Sequence, residues 1–155
     1  MRKRLIGLQK RRFLLDTNVF IAAFKSGYTK TTQLILRLLS DPNIELVVNS
    51  ILLEEYKSWL SKLSSKLPHI REQAEILYTL IVSKAVLIEP DRNHIERCKP
   101  FILEEEYADL YHAATCLKAN AILITNDKDF NRIARTNIIK VWSITRAIRE
   151  LLRGA

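Results

Sequence analysis

The chain has 155 residues, 48% of them hydrophobic and 27% charged, which is enough for one domain with a proper core and hardly for two. Its net charge of +8 points to a polyanionic partner. Cys98 and Cys116 have no metal-type spacing, which argues against a thiolate metal centre or a disulfide scaffold and for a reduced, cytoplasmic chain, and no apolar run reaches membrane-spanning length.

Residues 1–10 (MRKRLIGLQK) form a basic lead-in that reads as a solvated tail, with nucleic-acid contact as the alternative, and not as a signal peptide. Phe13-Leu14-Leu15 is a short unbroken apolar run, the mark of a buried parallel strand, and it stops at Asp16. Thr17 and Asn18 then open a helix through Val19, Phe20, Ala22 and Ala23. Asp16 therefore falls at the carboxyl end of the first strand, where open α/β sheets place their ligand crevice. A lone aspartate there is equally often a helix cap, so its meaning depends on whether other acids reach the same edge. Lys25, Tyr28 and Lys30 flank the following loop and read as solvated, with contact to the phosphates of a polyanionic partner as the alternative.

A helix from Thr29 to Leu39 carries Leu34, Ile35, Leu38 and Leu39 at helical spacing and ends at Asp41-Pro42. Glu45–Val48 is the second strand, and Asn49-Ser50 caps the next helix. There Leu52, Tyr56, Trp59, Leu60 and Leu63 make one apolar stripe. At about 100° per residue Glu54 lies opposite that stripe, whereas Glu55 lies at its margin. If either acid enters a crevice it is Glu55; otherwise both are surface charges. Pro68 opens a further helix through Ile70, Ala74, Leu77 and Ile81, and Ala85–Ile88 is the third strand.

Residues 91–102 form a short helix, followed by EEEYADLYHAATCLKA. In that segment Tyr107, Leu110, Ala114 and Leu117 make the expected buried face, while Glu106, Asp109 and Ala113 share a flank. His112 could touch Asp109 but reads as a partly buried structural histidine. Ala121–Thr125 is the fourth strand and runs into Asn126-Asp127-Lys128-Asp129-Phe130, repeating the pattern around Asp16. Lys128 stands between two acids and screens them. Ile138–Trp142 is the fifth strand; Ser143 caps a last helix with Ile144, Ala147, Ile148 and Leu151. Trp59 and Trp142 read as core or interface.

Strands alternating with helices imply a parallel sheet of four to five strands, covered on both faces, in a three-layer α/β/α fold. That architecture puts the carboxyl ends of strands one and four at one edge and lets Asp16 and Asp127 share a crevice with Glu55 and Asp109. Two carboxylates about 4 Å apart repel by roughly 4 kcal/mol at an effective dielectric near 20, so such a group calls for a cation or a shared proton. Oxygen-only ligation points to a hard ion, Mg2+ or Mn2+. An acidic metal pocket in a basic protein suits hydrolysis of a phosphodiester polyanion.

The order DTNV, LEEY, E-x-x-D within EEEYADLYHAAT, and ITNDKDF after a strand resembles the PIN-domain ribonucleases, and within them the VapC-type toxins of toxin–antitoxin pairs. The likeness runs from about Arg12 to Trp142. It implies Asp16, Glu55, Asp109 and Asp127 as the four catalytic acids, with Asp16, Asp109 and Asp127 holding the ion. Asn18, Glu106, Thr125 and Asp129 match supporting positions. It further implies Mg2+- or Mn2+-dependent cleavage of RNA, an antitoxin that masks the crevice, and a homodimer. The residues leave open a housekeeping RNA-processing nuclease and a non-catalytic module that binds RNA or protein. A phosphotransfer domain fits poorly, because Asn18 stands where the phosphatase pattern has its second acid.

Overall fold

The computed structural model describes residues 10–25, 29–66 and 68–152. Apart from Lys10 the basic lead-in lies outside the described residues, as do Tyr28 and the side chain of Lys25. The elements alternate from β1 (Arg11–Leu15) through α1 (Thr17–Lys25) and α2 (Lys30–Ser40) to β2 (Ile44–Val48). Helices α3 (Ser50–Lys66) and α4 (Pro68–Lys84) lead to β3 (Val86–Leu87). Next come α5 (Arg92–Cys98), a 3-10 turn at Lys99–Phe101, α6 (Tyr107–Ala119) and β4 (Ile122–Ile124). A second 3-10 turn at Lys128–Phe130, α7 (Asn131–Ala134), β5 (Lys140–Trp142) and α8 (Ile144–Leu152) complete the described chain.

The five strands form a parallel sheet in the order β3-β2-β1-β4-β5. Helices flank it in the three-layer α/β/α arrangement: α2 packs against α1 and α8, while α6 packs against α5 and lies over β1 and β4. β1 is central, which explains why Phe13, Leu14 and Leu15 are apolar without alternation: all three are at most 1% exposed. Because the chain leaves β1 for β2 on one side and returns to β4 on the other, the sheet's topological switch point lies between β1 and β4. The backbone N–H of Asp16 donates to the carbonyl of Ile124 at 3.1 Å, so Asp16 sits at that crevice.

The edge strands are shorter than the apolar runs predict. β3 keeps only Val86–Leu87, an outer strand paired to Val47 and Val48 with Leu87 open to solvent. β5 begins at Lys140 because Asn137, at φ 63°, turns the chain just before it. The buried face of α6 also differs. Tyr107 is exposed, its ring tilted against that of Tyr111 with centroids 6.0 Å apart. From Leu110 onward most of the helix circumference is buried, including His112, Ala113, Thr115 and Cys116. Trp59 is half-buried and Trp142 is in the core.

The caps agree with their residue types. Asn49 Oδ1 accepts the Leu52 N–H at 2.7 Å at the start of α3, and Ser143 Oγ accepts the Arg146 N–H at 3.0 Å in α8. One buried bond ties α3 to the end of β1: the Tyr56 hydroxyl donates to the Leu15 carbonyl at 2.6 Å. Replacing Tyr56 with Phe removes that donor inside the core. We expect a loss of about 1–2 kcal/mol in urea-induced unfolding, with the fold retained.

Candidate active site

Asp16 is 5% exposed, and both of its oxygens are held by donors that the local sequence supplies. Oδ1 accepts the N–H of Thr17 at 2.8 Å, the first residue of α1. Oδ2 accepts the hydroxyl of Thr125 at 2.7 Å, and the same hydroxyl oxygen accepts the N–H of Asp127 at 2.9 Å. Thr125 therefore stitches the ends of β1 and β4 together. Burial pushes the Asp16 carboxyl above its usual range, with the Thr125 and Thr17 bonds offsetting part of that shift.

Glu55, one turn into α3, puts Oε1 against two donors, the Thr17 hydroxyl at 2.7 Å and His112 Nε2 at 2.8 Å. Among the described residues its Oε2 accepts no hydrogen bond. Burial raises the Glu55 carboxyl, but the His112 and Thr17 bonds outweigh it and hold the group below its usual range. Glu54, by contrast, is exposed and lies 3.9 Å from Lys57.

Asp109 stands in the first turn of α6, and its Oδ2 is buried without a hydrogen-bond partner. Asn18 Oδ1 is orphaned in the same way. Burial first, and then the charges of Asp16, Asp127, Glu106 and Asp129, together push the Asp109 carboxyl up to about 8. Ligand oxygens of Glu106, Asp109 and Asp129 lie within 4.8 Å of one another. Glu106 occupies the N-cap position of α6 without a side-chain bond to the helix. Asp129 is exposed, and its N–H is accepted by Asp127 Oδ1 at 2.9 Å, so one oxygen of Asp127 is committed to starting the 3-10 turn.

Asp16, Glu55 and His112 also offer ligand atoms within 4.8 Å of one another, but His112 is not available as a ligand. It is fully buried, with Nε2 on Glu55 and Nδ1 3.0 Å from the Asn49 amide. It thus meets Glu55 and not Asp109, and it is buried completely where a partly buried histidine was expected. Thr17 and Asn49 are polar groups of this site that sequence reasoning missed. Their contacts to Glu55 and His112 span 38 and 63 positions, beyond any local pattern.

The donor set fits a hard divalent cation. Among the described residues no lysine or arginine pairs with Asp16, Asp109, Asp127, Asp129 or Glu106, and Lys128 is exposed beside them without an ion pair. Two carboxylates 4.8 Å apart still repel by about 3.5 kcal/mol at an effective dielectric near 20. An oxygen-rich group of this kind, with two buried oxygens unpartnered, matches the ligands that Mg2+ and Mn2+ take.

The family described as PIN domain matches residues 13–136. Among curated proteins none matches the chain. Among solved structures the chain is similar to VapBC2 from Rickettsia felis bound to a promoter DNA fragment, at 21% identity, TM-score 0.59, covering 85% of this chain and 98% of that one. It is similar to VapBC-1 from nontypeable Haemophilus influenzae at 23% identity and TM-score 0.56, over 86% and 98% of the two chains. FitAcB from Neisseria gonorrhoeae aligns at 20% identity and TM-score 0.60, over 86% and 98%. At these identities the likeness is one of fold. Among the described residues no helix is long and apolar enough to cross a membrane.

Proposed function

The chain belongs to the PIN-domain family, and from that premise we propose that it is a Mg2+- or Mn2+-dependent endoribonuclease, the toxin of a VapBC-type toxin–antitoxin pair. The observation that carries this reading is that Asp16 lies beside both Glu55 and Asp109, and Asp127 beside Asp109, while a buried carboxylate oxygen of Asp109 is left unpartnered. Asp16, Asp109 and Asp127 would hold the ion. Asn18 and Thr125 support that shell, and Glu106 and Asp129 add negative charge beside it. When bound, the ion supplies a Lewis acid for the scissile phosphate and lowers the pKa of a coordinated water.

The protein's own part is positioning. The His112 and Thr17 bonds hold the Glu55 carboxyl below its usual range, so it stands as a carboxylate whose Oε2 orients the attacking water by accepting its hydrogen bond. Thr17 spaces the two carboxylates, donating its N–H to Asp16 and its hydroxyl to Glu55. The net charge of +8 raises the local concentration of a polyanionic strand, which makes substrate capture sensitive to salt.

Purified protein incubated with single-stranded and loop-bearing RNA is expected to cut it in Mg2+ or Mn2+ and to leave it intact in excess chelator. Inert RNA under both conditions would return the chain to a non-catalytic binding role. Expression of the chain alone is expected to arrest growth, relieved by co-expression of a small protein encoded beside it. That outcome separates a toxin from a housekeeping RNA-processing nuclease, whose catalytic groups would be the same. A homodimer belongs to the same reading, and Leu36, Ile76 and Leu80 offer exposed apolar area for protein contacts.

A further inference from the structure

Three fully buried polar side chains, Asn49, His112 and Thr115, run between the second strand and the acidic crevice. Nothing in metal binding requires them, and a buried polar network is tolerated only when each member finds its partner. Their hydrogens can be assigned from the backbone outward. Asn49 Oδ1 is committed to the Leu52 N–H at 2.7 Å, so the amide cannot be flipped without setting NH2 against N–H. Asn49 Nδ2 must then donate, one hydrogen to Thr115 Oγ1 at 2.9 Å and the other to His112 Nδ1 at 3.0 Å. Thr115 does not compete, because its own hydroxyl donates to the Tyr111 carbonyl at 2.8 Å. With Nδ1 serving as acceptor, His112 carries its proton on Nε2, 2.8 Å from Glu55 Oε1.

We propose that Asn49 and His112 form a polarity relay that makes His112 a positioning residue for Glu55, resting on the nuclease reading given above. The cap of α3 orients the Asn49 amide, the amide selects the Nε2–H tautomer, and that N–H pins Oε1. Together with the Thr17 hydroxyl at 2.7 Å, it turns the carboxylate so that Oε2 alone is left to face water. His112 neither ligates the ion nor exchanges the reacting proton. Its effect is on the rate of the chemical step, not on RNA capture, because it fixes the geometry of one group that acts in that step.

The test uses the full chain, labelled with 15N-histidine and free of metal, at about pH 8, above the ordinary imidazole range. Long-range 15N–1H spectra are expected to show the Nε2–H pattern for the imidazole whose signals disappear in His112→Gln, set apart in this way from His69 and His94. Asn49→Asp keeps an equally good cap but replaces the donor facing Nδ1 with an acceptor, and it is expected to add a proton there, leaving His112 protonated on both nitrogens between two carboxylates. In Mg2+, His112→Leu is expected to lower kcat about 10–100-fold with KM for RNA little changed. His112→Gln, whose amide N–H lies as many bonds from Cβ as His Nε2, is expected to recover most of that loss. Circular dichroism confirms that each variant compared is folded. A wild-type His112 protonated on Nδ1 or on both nitrogens overturns the relay, as does a folded His112→Leu with wild-type kcat. A wild-type protein that shows the Nε2–H signal but cuts no RNA overturns the nuclease reading and leaves the Asn49–His112 geometry supported.

Discussion

Asp16→Asn is expected to cut metal-dependent RNA hydrolysis by about a thousand-fold or more while the protein stays folded. The reason is that the two consequences of the substitution act on different states. In the folded, metal-free protein the Asp16 carboxylate is a burden: burial raises its pKa, and it shares a crevice with Asp109 and Glu55. Asparagine removes that charge. Its Oδ1 can still accept the Thr17 N–H, and its amide can donate to Thr125 Oγ1, whose remaining lone pair is free once the Asp127 N–H is counted. The cost is confined to re-aiming one hydroxyl hydrogen, so unfolding stability should stay within about 1 kcal/mol of wild type or exceed it. In the loaded enzyme the same change removes an anionic ligand from a site whose purpose is to concentrate negative charge. A thousand-fold loss corresponds to about 4 kcal/mol of transition-state stabilisation. Steady-state cleavage in Mg2+ alongside a thermal melt checks both halves; a folded variant with more than a tenth of wild-type activity would remove Asp16 from the proposed chemistry.

The parts of the fold that sequence reasoning reaches are those set by short-range rules. Phe13–Leu15 and Ile122–Ile124 are apolar on both sides because they are central, and an unbroken run announces that without any knowledge of partners. The parallel order then follows from alternation with helices, and with it the common edge for Asp16 and Asp127. Edge strands are harder, because their extent depends on a neighbour: β3 stops where β2 stops, and Leu87 is apolar although it is exposed. Tyr107 shows the same limit on a helix, where spacing marks a face but not how far the packed layers extend along it. At the candidate site, residue types indicate which acids belong together, but not which oxygen of each is free. That depends on donors far along the chain: Thr17 against Glu55, Asn49 against His112, and Thr125 against Asp16. Their periodicity is indistinguishable from that of ordinary caps and core positions, so His112 reads as a structural histidine until its two partners are known.

Mg2+, at one fixed concentration roughly a hundred times its dissociation constant at pH 8, is expected to raise the melting temperature of the wild-type protein by about 5–10 °C at that pH and by less at pH 6. The sign follows from Asp109. Its carboxyl lies near 3.8 in an unfolded chain and is raised to about 8 in the fold, chiefly by burial and then by Asp16, Asp127, Glu106 and Asp129. Between those values Asp109 binds more proton in the folded state than in the unfolded one, so its contribution to metal-free stability falls as pH rises from about 4 to 8. Asp16 is shifted in the same direction. Glu55 is shifted the opposite way, but its contribution is lost only as pH falls through a value below its ordinary 4.5, outside the interval compared. Cation binding needs Asp109 ionised, so below pH 8 it must displace a proton and weakens as the solution becomes more acidic. Asp109→Asn separates the two effects: it should melt higher than wild type without metal at pH 8, because the crowded charge is gone, and should show little or none of the Mg2+ increment. Differential scanning calorimetry of both proteins at the two pH values, with and without Mg2+, reads all of these outcomes. An equal Mg2+ increment in Asp109→Asn would place the ion elsewhere, and a metal-free wild type more stable at pH 8 than at pH 6 would mean that the acids are not crowded together as described.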